Sequence, residues 1–444
     1  MYLTDRSAPP KAGADQGPRR GPGRKVAPVV LVLGTVSLIT DISSEMVTAV
    51  LPLYLVTTLG FSPLGFGTLD GVYNGVSALV QLTGGHLADR IRNHKLLAGL
   101  GYGLSALCKP LLLLAGSIGT LGTVLALERT GKGLRTAPRD AMISLSTPTE
   151  RQGRAFGVHR AMDTTGAMLG PLAAFLILRA AVDGYDAVFG VSACVAALGV
   201  LVLVLFVPGR KRGGVSDEAV LPGGRQQSDT SDGTGISAGE GLPQSKPPVR
   251  VREALALLRV PRMRALAGCA ALLGLTTVSD AFVYLLLQRR AGIGEEWFPL
   301  LPLGTAAVFL LLAVPFGTLA DRIGRRTVFL AGHAVLLVAY VLLLWAPATS
   351  ALPVLVLALH GTFYAATDGV LPAALAGIVP SHLRASGLAI VGTSQALARF
   401  CCSLAFGAAW TMWGDGPALA GSAIGLLCCA VVAGVVLRPA DGTR

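Results

Sequence analysis

Apolar stretches of about 20 residues recur along the whole of this 444-residue chain, separated by short polar segments. A helix needs roughly 20 apolar residues to cross about 30 Å of hydrocarbon, and only helices and closed barrels satisfy their backbone polar groups there. Runs such as 198–207 lack the alternation of polar and apolar residues that barrel strands require. We therefore predict an all-α integral membrane protein with twelve transmembrane helices. The predicted spans are residues 28–56, 64–86, 95–117, 120–146, 154–180, 186–207, 262–287, 297–319, 327–346, 351–379, 385–408 and 417–437.

The composition excludes a soluble globular domain. Charged residues make up only 14% of the chain and hydrophobic residues 52%, whereas about a quarter of the residues in an ordinary soluble chain are charged. A deficit of this size over this length means that much of the surface faces lipid. All seven cysteines fall in apolar spans, without His or acidic residues at metal-ligand spacing, so we predict apolar packing for them and no metal site.

The distribution of basic residues predicts the orientation in the membrane. If the N-terminus is cytoplasmic, nearly all of the loop Lys and Arg residues lie on the cytoplasmic side, and the opposite loops carry only Arg179, Arg289 and Arg290. Because cytoplasmic loops hold the positive excess in membrane proteins, both termini are predicted to be cytoplasmic. The formal charge of +12 is then explained by topology, without a nucleic-acid partner.

Polar segments rich in Gly and Pro separate two sets of six spans. The predicted organisation is a disordered cytoplasmic N-terminal tail (1–27), an N-terminal six-helix bundle (28–208), a cytoplasmic linker (209–260) that is disordered over about 209–250, a C-terminal six-helix bundle (261–438) and a cytoplasmic C-terminal tail (439–444).

The two halves of the chain share a sequence motif. The segment GHLADRI at residues 85–91 reappears as GTLADRI at residues 317–323. Six predicted spans separate the two copies, and because that number is even, both loops lie on the same face of the membrane. The halves are therefore predicted to be parallel repeats related by an axis along the membrane normal, with a central pathway between the two bundles.

The second copy of the motif, GTLADRIGRR at residues 317–326, resembles the best-known signature of the major facilitator superfamily. The first copy departs from the signature at Arg92 and Asn93, where the family has Gly and usually Arg. The resemblance extends over essentially the whole chain outside the tail and the linker, and it implies two bundles that rock around a central site. It also implies a gating role for both loops, with a generic positive-inside loop as the alternative. The gating candidates are Gly85, Asp89, Arg90, Gly317, Asp321, Arg322, Gly324, Arg325 and Arg326.

Ionisable residues inside membrane spans are costly and usually mark a pathway. In the proteins that the chain resembles, the first, fourth, seventh and tenth helices line the cavity, and most of the buried charges here fall on those helices. At about 1.5 Å per residue, Asp41 and Glu45 lie one turn apart near the middle of the bilayer, level with cations of the fourth helix. Carboxylates in such surroundings can bind and release a proton, so these two are our first choice for proton coupling, and a static ion-pair network is the alternative. The proton-coupling candidates are Asp41, Glu45, Glu128, Arg129, Asp163, Asp280 and Asp368.

Two further segments resemble motifs of the same family. Residues 125–133 resemble a fourth-helix pattern whose arginine, here Arg129, is associated with proton transfer. Gly166, Gly170 and Pro171 resemble a fifth-helix pattern associated with antiporters, although Ala follows where the pattern has Gly. Small residues also allow close helix approach and Pro bends a helix, so a role in packing alone stays open.

Motifs for nucleotide binding and for catalysis are missing from the sequence. Gly131 and Lys132 do not form part of a complete phosphate loop, because Ala126 stands in place of the first Gly and Gly133 in place of Ser or Thr. Neither His-Glu-x-x-His nor Gly-x-Ser-x-Gly occurs. We therefore predict no enzyme activity, no cofactor and no nucleotide, so that an ion gradient or the gradient of the substrate drives the protein.

The leading prediction is a secondary active transporter of the plasma membrane that exports a small organic molecule in exchange for protons and works as a monomer. Proton-coupled uptake of a small anionic or zwitterionic metabolite and a non-transporting sensor are the alternatives. The predicted partners are the small-molecule substrate, protons and the lipid bilayer. The substrate-cavity candidates are Tyr54, Asn74, Lys132, Arg135, Tyr284, Tyr364, Gln395 and Arg399.

Overall fold

The computed structural model describes residues 27–90, 93–148, 152–207, 257–368, 379 and 384–437. All regular structure in these segments is helical. The predictions for residues 1–26 of the N-terminal tail, for residues 208–256 of the linker and for residues 438–444 fall outside the described residues. Seven of the described helices are long and apolar enough to cross a membrane by length and composition alone.

In the described part of the N-terminal half, six long helices match the first six predicted spans. A short π-helical stretch, Tyr54–Thr58, prolongs the first helix. The helices are α1 (Pro28–Leu53), α2 (Pro63–Arg90), α3 (His94–Leu114), α4 (Ile118–Leu145), α5 (Gln152–Ala180) and α6 (Gly184–Phe206).

The described part of the C-terminal half contains seven long helices because its first predicted span is interrupted. Short 3-10 helices, Leu257–Arg259 and Glu295–Trp297, lie beside it in the chain. The long helices are α7 (Pro261–Gly274), α8 (Asp280–Ala291), α9 (Leu300–Ile323), α10 (Arg325–Trp345), α11 (Ala351–Thr367), α12 (Arg384–Trp413) and α13 (Asp415–Val436). Of the tenth predicted span, 351–379, the described part is helical as far as Thr367.

The seventh span, predicted as one helix over 262–287, is broken between α7 and α8. Thr276 and Thr277 each donate a side-chain hydrogen bond to the carbonyl oxygen of Leu273, at 3.1 and 2.8 Å. The N–H of Val278 donates to the Tyr340 hydroxyl of α10 at 2.8 Å. The break is therefore stable because side chains replace the helical hydrogen bonds that it lacks.

Close helix packing in the N-terminal bundle rests on glycines of α5. A Cβ atom at Gly166 would lie 2.5 Å from the Leu38 carbonyl oxygen, and one at Gly170 would lie 2.9 Å from the Ile42 carbonyl oxygen. The backbones of α1 and α5 therefore touch at both positions, as small residues permit in membrane bundles. Pro171, the next residue, faces the space between the bundles.

Candidate functional site

A cavity of about 740 Å³ lies between the two halves of the molecule. Helices α1, α2 and α5 line it on one side, and the α7–α8 break, α8, α9, α11 and α12 line it on the other. More than half of the lining residues are apolar or aromatic, and charged side chains stand among them. This size and this mixture are typical of a site for a small molecule.

The charged residues that line the cavity are mostly acidic. Glu45, Asp70, Asp280 and Asp368 contribute carboxylates, whereas Arg160 and Arg399 contribute the basic groups. Sequence analysis selected Glu45, Asp280, Asp368 and Arg399, together with three polar candidates that also line the cavity: Asn74, Tyr284 and Tyr364.

Asp70 was missed by sequence analysis. It lies inside the second predicted span, and the rule that selects ionisable residues within spans would have found it there. Its Oδ2 accepts a hydrogen bond of 2.5 Å from the Ser403 hydroxyl of α12. This bond joins a carboxylate of the N-terminal bundle to the C-terminal bundle inside the cavity.

Asp280 begins α8 directly after the break. Its Oδ1 accepts a hydrogen bond of 2.5 Å from the Tyr364 hydroxyl and lies 3.0 Å from Nε2 of His360, which is fully buried. Both partners belong to α11. The break therefore presents a carboxylate to the cavity while α11 fixes the position of one of its oxygens.

A second cavity of about 150 Å³ lies within the C-terminal bundle. It shares Asp368, Arg399 and Thr277 with the central cavity, and Gln395 and His333 also line it. Gln395, a predicted substrate-cavity residue, therefore faces this smaller space.

Basic residues of α4 pair with acidic residues of α1 and α5. Lys132 Nζ lies 3.5 Å from Glu45 Oε1, and Arg135 Nη2 lies 3.3 Å from Asp41 Oδ1. One turn further along α4, Arg139 Nη1 lies 3.7 Å from Oδ1 of Asp163 in α5. These ion pairs form a ladder in which Glu45 is the member that lines the cavity.

A separate charged cluster is buried between α3 and α4. Glu128 accepts from Lys109 Nζ at 3.3 Å through Oε1 and from Arg129 Nε at 2.6 Å through Oε2. The Arg129 guanidinium also stacks on the Tyr73 ring, with its carbon 3.9 Å from the ring centroid. The predicted coupling candidates Glu128 and Arg129 thus lie in the bundle interior, behind Tyr73, which faces the cavity.

Besides Gln395, three further predicted substrate-cavity residues lie away from the lining of the central cavity. Lys132 and Arg135 point into the ion-pair ladder. Tyr54 is buried and packs its ring 5.0 Å from that of Phe189 in α6.

The gating candidates of the second motif lie at the junction of α9 and α10. Asp321 Oδ1 lies 3.4 Å from Arg325 Nη2, and Arg326 donates to the carbonyl oxygen of Gly434 in α13. Gly324 separates the helices with a φ of 96°, a conformation that favours Gly. Gly317 and Arg322 lie on α9, and Gly85, Asp89 and Arg90 lie on α2, where their side chains are outside the described set.

The two bundles meet where α2 begins and α12 ends. The N–H of Leu64 donates to Thr411 Oγ1 at 3.0 Å, and the rings of Phe66 and Phe282 are 4.8 Å apart. We call this part of the molecule the far end. It lies near the C-terminal end of α1, opposite the start of that helix.

Residues at the ends of α5 and α6 extend the contact at the far end. The Tyr185 hydroxyl donates to Glu295 Oε2 at 2.8 Å, and the rings of Phe175 and Trp297 are 5.0 Å apart. Glu295 and Trp297 belong to the short 3-10 helix between α8 and α9. The described contacts between the bundles thus close the cavity at this end.

Two helical bundles around a central cavity that carries charged side chains define a membrane transporter. The family model of the Major Facilitator Superfamily matches residues 33–401, and again 298–443. The chain belongs to this superfamily, and it is a multi-pass membrane protein that works as a secondary transporter.

Relatives and solved structures agree with this assignment. An uncharacterized MFS-type transporter of Methanocaldococcus jannaschii is 27% identical over 422 residues, which cover 93% of this chain and 95% of that protein. The nucleoside transporter NupG has a similar fold, with a TM-score of 0.72, 14% identity, and coverage of 93% of this chain and 100% of that chain. A bacterial homolog of the lysosomal transporter Spinster, in an inward-facing and unoccupied conformation, gives a TM-score of 0.65 at 17% identity and covers 92% of this chain and 94% of that chain.

Proposed function

We propose that this transporter exports a small organic molecule in exchange for protons. The observation that carries the proposal is the excess of carboxylates over basic groups among the residues that line the central cavity. A carboxylate that faces an aqueous cavity can hold either a proton or a polar group of the substrate, but it cannot bind both at full strength. Competition for one site is the simplest physical basis for exchange.

Glu45 is the member of the ion-pair ladder that we assign to coupling. It lines the cavity, and its contact with Lys132 is long at 3.5 Å and partly exposed. Asp41 is buried against Arg135, which favours a role in packing for that pair. Asp280 and Asp368 are the corresponding coupling candidates of the C-terminal bundle.

In the proposed orientation, both termini are cytoplasmic and the protein acts as a monomer in the plasma membrane. The far end then faces outward, and the contacts described there close the cavity on the outer side. Export in this conformation begins with the loading of substrate from the cytoplasm, and it continues when the bundles rock and open the far end.

Proton-coupled uptake of an anionic or zwitterionic metabolite is the second candidate. Arg399 favours it, because its guanidinium lines the cavity and takes part in none of the ion pairs within 4 Å that the described residues form. The similarity of the fold to the nucleoside transporter NupG is compatible with either direction.

The test uses purified protein in proteoliposomes that hold a pH gradient and contain a pH-sensitive dye. Candidate substrates are added to the wild type, to Glu45→Gln and to Asp41→Asn, with Asp415→Asn as a control at an exposed carboxylate at the start of α13. We expect substrate to move against the proton flux in the wild type and in the control, and this coupling to be lost in Glu45→Gln. Movement in the same direction as protons would show uptake, and substrate flux that ignores the gradient would refute coupling.

A further inference from the structure

Asp70 and Asp280 face the central cavity from opposite bundles. Asp70 lies on α2 of the N-terminal bundle and Asp280 on α8 of the C-terminal bundle, and the two carboxylates interact electrostatically across the cavity. One oxygen of each is already occupied, Asp70 Oδ2 by Ser403 and Asp280 Oδ1 by Tyr364. The Ser279 hydroxyl is a further partner of Asp70, and Oδ2 of Asp280 has no hydrogen bond given to it by the described residues.

The basic groups nearby do not balance the acidic ones. The Arg399 guanidinium interacts electrostatically with Asp70, Asp280 and Asp368, and Asp280 also lies 3.0 Å from the imidazole of His360. The other charges at the cavity wall are engaged elsewhere, because Glu45 pairs with Lys132 and Arg160 Nη1 lies 3.6 Å from Asp163 Oδ2. Among the described residues, the carboxylates around Arg399 therefore outnumber the cationic groups even when His360 is protonated.

The remaining walls offer aromatic and apolar surface. Tyr73, Tyr284 and Tyr364 line the cavity beside the two carboxylates, and Phe298 and Phe309 line it further along. Aromatic faces attract cations as well as apolar groups.

A buried hydroxyl also lines the same cavity. Thr305 is 4% exposed, and its hydroxyl lies beside that of Tyr284. These two hydroxyls add neutral hydrogen-bonding groups to the wall that carries the carboxylates.

We propose that the central cavity binds amphiphilic organic monocations, with the positive charge held between Asp70 and Asp280 and the apolar body packed against the aromatic wall. This proposal rests on the proposed export function and names its substrate class. A cation or a proton placed between the two carboxylates removes the repulsion between facing bundles. The bundles can then approach each other when either a substrate cation or a proton is bound. Substrate and proton are therefore alternative ligands of the same site.

The test is equilibrium binding to the purified full-length protein in detergent. The probes are radiolabelled tetraphenylphosphonium and ethidium as cations, tetraphenylborate as an anion of the same shape as tetraphenylphosphonium, and uridine and dialanine as polar competitors. The variants are Asp70→Asn and Asp280→Asn, and Asp415→Asn is the matched control outside the cavity. Thermal unfolding of each variant shows that it is folded.

We expect saturable binding of the cations that weakens from neutral to acidic pH, and no comparable binding of tetraphenylborate. Each cavity variant should bind the cations about tenfold more weakly or worse, since it removes one partner of a desolvated charge contact. The control should bind as the wild type does. Equal binding by wild type and both cavity variants, equal binding of tetraphenylborate, or no binding of either cation to the folded wild type would overturn the proposal.

The same probes separate this proposal from the export function. If uridine or dialanine moves against a proton flux in proteoliposomes while both cations fail to bind, the export function stands and the cationic substrate class is wrong. If the cations bind through Asp70 and Asp280 but move without proton flux, the substrate class stands and proton exchange is wrong.

Discussion

Arg135 Nη2 of α4 lies 3.3 Å from Asp41 Oδ1 of α1, and both side chains are almost entirely buried. The Arg135 guanidinium also lies over the Tyr102 ring of α3, 4.5 Å from its centroid. One ion pair thus connects three helices of the N-terminal bundle. Forming such a buried ion pair costs desolvation free energy. Removing one partner destabilises the protein, because the other charge then stays buried without a counter-charge.

Asp41→Asn is therefore expected to destabilise the N-terminal bundle by about 3–5 kcal/mol, because it leaves Arg135 buried without its counter-charge. Glu45→Gln is the matched comparison one turn away. Its pair with Lys132 is partly exposed, with 26% and 34% of the two side chains accessible, and we expect a loss of no more than about 1 kcal/mol. Chemical unfolding in detergent measures both values. Similar losses in the two variants would contradict the assignment of Asp41 to packing and Glu45 to coupling.

The close approach of α1 and α5 predicts a second difference between matched variants. Gly166→Ala places a Cβ atom 2.5 Å from the Leu38 carbonyl oxygen, a backbone atom that cannot turn away. We expect a loss of about 1–3 kcal/mol from overpacking. Gly157→Ala, on the same helix, meets nothing within 4 Å, and we expect it to be neutral or to stabilise by about 0.5–1 kcal/mol. If both variants unfold at the same temperature, helix packing is not what Gly166 provides.

The sequence contains enough information for the two-bundle fold and for the ion-pair ladder. Span length, the repeated motif and the intramembrane charges are all local properties, and depth along a helix follows from its regular rise. Counting residues therefore places Asp41 and Glu45 level with the basic residues of α4, and the structure pairs them with Arg135 and Lys132.

The division of roles among the charged residues depends on helix rotation, which sequence position does not specify. Glu128 pairs with Lys109 and Arg129 in the bundle interior, whereas Glu45 and Asp280 face the cavity. The break in the seventh span is only partly visible in the sequence. Polar residues at 276, 277, 279 and 280 interrupt the apolar pattern there, but the hydroxyl that accepts from the N–H of Val278 comes from a different helix.

Closure of the far end depends on a glycine of α2. A Cβ atom at Gly67 would collide with the carbonyl oxygen of Ser403 in α12. Gly67→Ala should disfavour the closed far end by about 1–3 kcal/mol, or roughly 5- to 150-fold in population, and slow transport accordingly. Gly103→Ala on α3, which meets nothing within 4 Å, is the control.

Cross-linking measures this closure. Cysteines at Leu64 and Thr411, whose N and Oγ1 atoms are 3.0 Å apart, are introduced after the native cysteines have been replaced by Ala. We expect a fast disulfide in the control and a much slower one in Gly67→Ala. Equal rates would show that α2 and α12 do not need a glycine at this contact.

The break before α8 predicts a loss of stability in Tyr340→Phe. The Tyr340 hydroxyl is the acceptor for the buried N–H of Val278 at 2.8 Å, and its removal leaves that donor unsatisfied at a cost of about 1–3 kcal/mol. Tyr102→Phe is the matched control, because Tyr102 is equally buried but its hydroxyl makes only a 3.4 Å contact with Ser37. Thermal unfolding in detergent should therefore show a larger decrease in melting temperature for Tyr340→Phe than for Tyr102→Phe.

The break also positions Asp280, so Tyr340→Phe should weaken the binding of tetraphenylphosphonium, whereas Tyr102→Phe should leave it unchanged. A variant at Tyr340 with wild-type stability would mean that the side chains of Thr276 and Thr277 hold the break open without help from α10.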